Sequence, residues 1–150
     1  MRTLLLSDIH ANLPALEAVL FDAHGLFDAT WVLGDTIGYG AGPSACIGVV
    51  RDLDALAIAG NHEETAIGRM STKDFNPVAR EAIEWTANAL NEDAKEYVTN
   101  LKLTVVVDRF TLVHGSPRDP VWEYIETAPQ VLENLEHFET QAVTCRLRSA

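Results

Sequence analysis

Cysteine is scarce in this chain: Cys46 and Cys145 are the two present, far apart and without a short metal-type spacing. That argues against a disulfide framework, and two reduced thiols are the simplest state. Basic residues are also few, 11 Lys and Arg against 22 Asp and Glu, for a net charge of −11. A surface of that sign argues against non-specific nucleic-acid binding, which relies on a basic face. Anionic substrates stay open, because bound cations reverse the local field at a site. Long apolar runs are missing as well. Leu4-Leu5-Leu6 and Val105-Val106-Val107 are far shorter than the roughly 20 residues of a membrane helix. The first of these runs straight into Ser7-Asp8, with no h-region or cleavage site. No membrane association and a cytoplasmic location are therefore expected.

What is there reads as one domain. The 150 residues are 47% hydrophobic and 22% charged, enough for a core in an ordinary globular chain. Apolar, β-branched runs alternate with helical patterns, the mark of an α/β protein. Strands are expected over 2–7, 30–33, 55–59, 103–107, 110–113 and 142–145, with the fourth and fifth forming a hairpin about Asp108-Arg109. Helices are expected after an Asn12 cap, with Leu13, Leu16, Val19 and Leu20 inward, and over 43–52, 77–90, 92–100 and 129–138. The 77–90 helix would bury Val78, Ala82, Ile83, Trp85 and Leu90. Residues 34–42, 70–76 and 115–120 read as loops.

In open α/β sheets, ligands gather beyond the carboxyl ends of strands. The metal-capable residues of this chain fall there. Asp8 and His10 follow the first strand two residues apart, so in extended backbone both side chains project one way and can share a cation. Asp35 follows Val32-Leu33-Gly34, where the glycine permits a sharp exit. Asn61 and His62 follow Ile58-Ala59-Gly60, and His114-Gly115 ends Thr111-Leu112-Val113. Each motif alone is weak, since Asp-x-His and Gly-Asp are usually turn or capping chemistry. Their joint placement at four strand ends carries the inference. Carboxylate, imidazole and amide oxygen make a mixed set suited to manganese, iron or zinc. One aspartate can bridge two cations about 3.5–4 Å apart with a hydroxide between them, an arrangement suited to in-line displacement at phosphorus.

The segments Leu6-Ser7-Asp8-Ile9-His10-Ala11-Asn12, Leu33-Gly34-Asp35, Gly60-Asn61-His62-Glu63 and Val113-His114-Gly115-Ser116 resemble, in order and spacing, the calcineurin-like metallophosphoesterases, specifically their small bacterial members. The resemblance implies an α/β (α+β) fold, a four-layer α-β-β-α sandwich. It implies two divalent metal ions, with Asp8 and His10 on the first, Asp35 bridging, and Asn61 and His114 on the second. His62 becomes the acid that protonates the leaving oxygen, and Glu63 its orienting partner, where many family members have Asp. The expected activity is hydrolysis of a phosphomonoester or phosphodiester, the partner a small phosphorylated substrate bound through Asn61 and His62.

The family carries a further Gly-His-x-His after a late strand. Here the segment Ala142-Val143-Thr144-Cys145 is followed by Arg146-Leu147-Arg148-Ser149-Ala150. The resemblance therefore implies a C-terminally incomplete domain, as a frameshift or premature stop would leave. Weakened metal affinity follows, with an uncovered sheet edge through which the chain would oligomerise or take a partner strand. The alternative function is a non-catalytic scaffold or binding module of the same fold.

Outside the cluster, Arg118 in Ser116-Pro117-Arg118-Asp119-Pro120 is a candidate phosphate ligand by its planar guanidinium, or else a surface partner of Asp119. Gly38-Tyr39-Gly40 reads as a connector with a packed tyrosine, with bordering the substrate as the second reading. Trp122 and Tyr124 read as packing residues, His24 and His137 as solvated histidines, and Glu92, Asp93 and Glu96 as a solvated helix face.

Overall fold

A computed structural model describes residues 1–144 of the chain. In order the elements are β1 (Thr3–Leu6), α1 (Leu13–Asp22), β2 (Ala29–Leu33), α2 (Pro43–Asp52), β3 (Leu56–Ile58), α3 (Asn61–Ala66), α4 (Pro77–Ala89), α5 (Glu92–Asn100), β4 (Thr104–Val107), β5 (Phe110–Val113), α6 (Ala128–Leu135) and β6 (Ala142–Thr144). Every expected strand and helix is present, with bounds that match or differ by one to three residues. The short α3 was not expected, because six residues are too few to show helical periodicity. Residues 70–76 hold one 3-10 turn, Thr72–Asp74. The segment where a Gly-His-x-His was sought lies outside the described residues.

Among the described residues two three-stranded sheets form. In the first, β1, β2 and β3 are all parallel, so their carboxyl ends emerge along one edge. In the second, β4 and β5 are the antiparallel hairpin, and β6 joins β5 in parallel through α6. Such a crossover lays its helix on the sheet face. The sheets meet face to face through buried Trp31, Ile58 and Leu112, with Leu33, Val105, Val107 and Phe110 around them. Ile58 and Leu112 are fully buried, each contributing about 1.5–3 kcal/mol by burial. On the helical side Ile37 and Ile47 pack against Leu90, Ala94 and Val98, binding α2 to α5.

The helices begin where the sequence provides caps. Asn12, Asn76 and Asn91 each accept the N–H three residues on, at 3.2, 3.0 and 2.8 Å. Two inward faces differ from expectation. On α1 only Leu16 is buried, and Val19 is 45% exposed. On α4 the buried stripe is Ala79, Ile83, Thr86, then Leu90, while Val78 and Trp85 face outward. Val78 and Trp85 are themselves one helical repeat apart, so the pattern allowed two stripes and tertiary packing chose the smaller residues. Among the described residues, no helix is long and apolar enough to cross a membrane.

The loop after β5 is pinned by charge. The Glu123 carboxylate accepts hydrogen bonds from Ser116 Oγ, from the Arg118 guanidinium and, at 3.0 Å, from Asn134 Nδ2. Arg118 also pairs with Glu133, and its backbone N–H donates to Asn134 Oδ1 at 3.1 Å. Asp119 is not its partner; that carboxylate caps the N–H groups of Val121 and Trp122. The Arg118 guanidinium, aided by Ser116 and Asn134, pulls the Glu123 carboxyl down to about 2. A folded-state value below the unfolded one adds stability that is complete above the unfolded value, about 4.3, and is lost as pH falls toward 2. Glu123→Gln should therefore flatten the fall of the urea midpoint across that window. A slope identical to wild type would show that the network contributes nothing.

Candidate metal centre

The carboxyl ends of β1, β2 and β3 lead into loops stitched side by side. Asp8, His10 and Ala11 donate their N–H groups to the carbonyls of Gly34, Asp35 and Thr36 at 3.2, 2.9 and 2.8 Å. The backbone there is not extended. Asp8, His10 and Ala11 sit at φ 54°, 49° and 55°, and Asp35 and Tyr39 at 52° and 56°. The common direction of Asp8 and His10 thus arises from a left-handed loop, correcting the extended-strand rationale. Left-handed backbone costs an ordinary residue about 1–2 kcal/mol, and such strain gathers at functional sites.

The side chains converge. His10 Nε2 lies 3.6 Å from Asp8 Oδ1 and 3.9 Å from Asp35 Oδ2. His114 Nε2 lies 3.3 Å from Asp35 Oδ2 and 3.3 Å from Asn61 Oδ1. The ligand atoms form two groups, Asp8 with Asp35 and His114, and His10 with Asp35 and His62, each within 4.8 Å. This division crosses the one the resemblance implied. The six residues are close enough to be divided either way, and Asp35 is shared in both.

The imidazoles of His114 and His10 are aimed from behind. His114 Nδ1 is 2.7 Å from the Leu33 carbonyl, and His10 Nδ1 is 3.2 Å from that of Ile37. A carbonyl can only accept, so both Nδ1 atoms carry a proton and Nε2 is the nitrogen presented to the carboxylates. Backbone-oriented histidines of this kind are the usual support of metal ligands. The donor set fits borderline divalent cations. Burial opposes a proton on His10, but Asp8, Asp35 and the Ile37 carbonyl outweigh it and raise its pKa. Burial likewise opposes charge on Asp35, yet His114 and His62 hold its pKa below the ordinary value.

Glu63 acts on backbone, not on the neighbouring His62. It is fully buried, and its carboxylate accepts the backbone N–H groups of Asp35, Ile37 and Gly60 at 2.8, 3.2 and 2.8 Å. The carboxylate bonds backbone amides and not the His62 ring, so the orienting role does not hold. It ties the loop after β2 to the start of α3. From the other side, His62 N–H donates to Asp35 Oδ1 at 3.1 Å. Gly60 must be glycine here, since a Cβ would fall 2.3 Å from Asp35 Oδ1. Gly38, at φ +95°, gives way to the His62 ring in the same manner, with a Cβ only 2.1 Å from Nδ1. Burial, with the nearby Asp35 charge, pushes the Glu63 carboxyl up to about 7.

The surroundings differ from several expectations. Arg118 is held by two glutamates, so a phosphate would have to displace both. Tyr39 is no packed connector: it is half-exposed, with its ring centroid 4.8 Å from those of His10 and His62. A cavity of about 670 Å³ runs along residues 8–14 and 39–42. On the other side of His10 and Tyr39, a smaller one of about 150 Å³ is lined by Asn61, His62, Phe75, Trp122 and Tyr124. His24, His137, Glu92, Asp93 and Glu96 are exposed, as expected. Cys46 is buried, which pushes its thiol up to about 11.

A mixed α/β fold thus gathers candidate metal-ligand side chains at its strand ends. The model of the calcineurin-like phosphoesterases matches residues 1–143, and the chain belongs to that family. It is similar to a metallophosphoesterase from Sphaerobacter thermophilus, at 46% identity and a TM-score of 0.83 over 95% of this chain and 58% of that one. It is 35% identical over 126 residues to an uncharacterised protein of Methanocaldococcus jannaschii, covering 80% of this chain and 52% of that one. A hypothetical protein from Pyrococcus horikoshii shares the fold, at 18% identity and a TM-score of 0.78 over 92% of this chain and 66% of that one. The chain thus spans about half to two thirds of the length of these relatives.

The Glu63 clasp makes a prediction for stability. Glu63→Gln replaces one acceptor oxygen by a donor, leaving a buried N–H facing an NH₂. Urea unfolding should show a loss of about 1–3 kcal/mol. An unchanged midpoint would mean that the three amides find other partners.

Proposed function

We propose that this chain hydrolyses a phosphomonoester or phosphodiester with two divalent metal ions, manganese, iron or zinc. The observation that supports this most directly is the pair of ligand groups sharing Asp35. Cations held there would supply neutralisation of phosphate oxygens and activation of a water. Asp8, His10, Asp35, Asn61 and His114 would hold them. Asp35 serves both groups, and its backbone is kept in place by Glu63. Asn61 and His62, at the start of α3, would meet the substrate.

His62 is assigned the proton transfer to the leaving oxygen. What supports this is its position beside Asp35, with its ring wedged between Tyr39 and Phe75 at centroid distances of 4.8 and 5.2 Å. A ring so held can deliver a proton along one line without searching for it. Arg118 takes no part in this reading, because Glu123 and Glu133 engage it. The substrate is a small phosphorylated molecule. Oligomer formation through a sheet edge and a cytoplasmic location belong to the same proposal.

Manganese-loaded protein should turn over 4-nitrophenyl phosphate, and Asp35→Asn should lower that rate by about 10²-fold or more. His62→Ala should cost about 10²–10⁴-fold with an alkyl phosphate, whose leaving oxygen needs a proton. The loss should be smaller with 4-nitrophenyl phosphate, whose leaving oxygen needs little help. Equal losses on both substrates would remove His62 from the acid role, and absence of turnover would remove the activity itself.

A further inference from the structure

Five rings from distant parts of the sequence meet beside the metal-ligand cluster. Tyr39 comes from the loop before α2, Phe75 from the turn before α4, and Trp122 and Tyr124 from the loop after β5. His62 lies among them. Four of the rings are joined in a row: Tyr39 to His62 at 4.8 Å, His62 to Phe75 at 5.2 Å, and Phe75 to Trp122 at 5.2 Å. The last two contacts are edge-to-face. Together with Tyr124, Asn61, Asn76 and Ala79 they line the cavity of about 150 Å³.

Ordinary core packing explains only part of this. Phe75 is buried, but Tyr39 is half-exposed and Trp122 and Tyr124 are partly exposed. Here the rings are interleaved with the polar groups of Asn61, His62 and Asn76, so the lining offers ring surface and hydrogen-bonding atoms together. The cavity is too small for an extended ligand and suits one planar ring system. Asn76, whose side-chain oxygen caps α4, adds amide donors to the lining that suit the acceptors of a nucleobase. His62 and Asn61 line the same cavity. A ring seated in it therefore belongs to the side of the phosphoester on which His62 acts.

We propose that this aromatic cavity is a subsite for a planar aromatic ring carried on the leaving group, either a nucleobase or a simple aryl group. The subsite rests on the phosphoesterase reading, and it narrows the substrate to an aromatic or nucleoside phosphoester. The larger cavity, beyond His10 and Tyr39, remains for whatever else the phosphate bears.

The test uses the manganese-loaded chain and ligands it cannot hydrolyse. Calorimetry would compare the phosphonate analogues of AMP and ribose 5-phosphate with benzylphosphonate, the analogue of phenyl phosphate. Base–aromatic stacking of about 1–3 kcal/mol predicts that the AMP analogue binds about five-fold or more tighter than the ribose analogue. That ratio should collapse toward one in Trp122→Leu. It should also collapse in Tyr39→Asn, which suits the left-handed backbone at an exposed position and so guards against a misfolded first variant. Benzylphosphonate matching the AMP analogue would identify the ring as aryl, and weaker binding would identify a nucleobase. Equal binding of the AMP and ribose analogues, alongside turnover of 4-nitrophenyl phosphate, would overturn the subsite and leave the phosphoesterase reading standing. A ring preference without any turnover would overturn the phosphoesterase reading while the subsite stood. No binding of any analogue would overturn the subsite.

Discussion

The arrangement at the strand ends depends on one buried carboxylate holding backbone amides. Glu63 accepts three N–H groups that belong to two different loops, those of Asp35 and Ile37 after β2 and that of Gly60 before α3. The parallel sheet brings the loops to one edge, but a sheet does not set their conformation. A hydrogen bond to a charged acceptor is roughly twice as strong as a neutral one. Three of them on one carboxylate can hold Asp35 in left-handed backbone and fix the first turn of α3 against it. Asn61 and His62 occupy that turn. The metal-ligand cluster is therefore built from backbone outward, with side chains delivered by loops that are themselves tied together.

Electrostatics gives the cluster its character. Asp35, Glu63, Asn61, His62 and His114 are all buried, in a chain that already carries a net charge of −11. Buried carboxylates are expensive unless hydrogen-bonded or neutralised. Glu63 is served by amides and Asp35 by flanking imidazoles, so each has its own compensation. The imidazoles in turn are turned by the carbonyls of Leu33 and Ile37. A divalent cation would relieve the remaining excess of negative charge, which is the physical link between the fold and the proposed metal centre.

Much of this was legible in the sequence. The spacing of Asp8, His10, Asp35, Asn61 and His62 located the cluster, because a parallel sheet aligns its carboxyl ends whatever the details of packing, and His114 joins it from the end of β5 in the second sheet. Asn12 before a helical pattern marked its cap correctly, whereas the Asn76 and Asn91 caps became visible only in the folded chain. Other features had no local signal. Left-handed backbone at Asp8 and His10 is invisible in an Asp-x-His pattern, which fits an extended strand equally well. Glu63 beside His62 suggests contact with its neighbour, whereas a buried helix start turns it toward the backbone of another loop. Arg118 next to Asp119 suggests a local pair, but its partners lie at Glu123 and Glu133. The ring wall around His62 joins residues 39, 75, 122 and 124, and only the folded chain brings these together.

The left-handed conformation at Asp8, His10 and Asp35 also constrains which metals this scaffold can come to prefer. Asp, Asn and His are the non-glycine residues that adopt such backbone most readily, and they carry oxygen and nitrogen donors. Cysteine and glutamate, the replacements that would move a site toward softer thiolate binding or longer reach, are not favoured there. Drift of the ligand set is thus channelled by chain geometry before coordination chemistry acts. A lineage or a designer seeking a thiolate zinc site on this frame would have to rebuild the loops first.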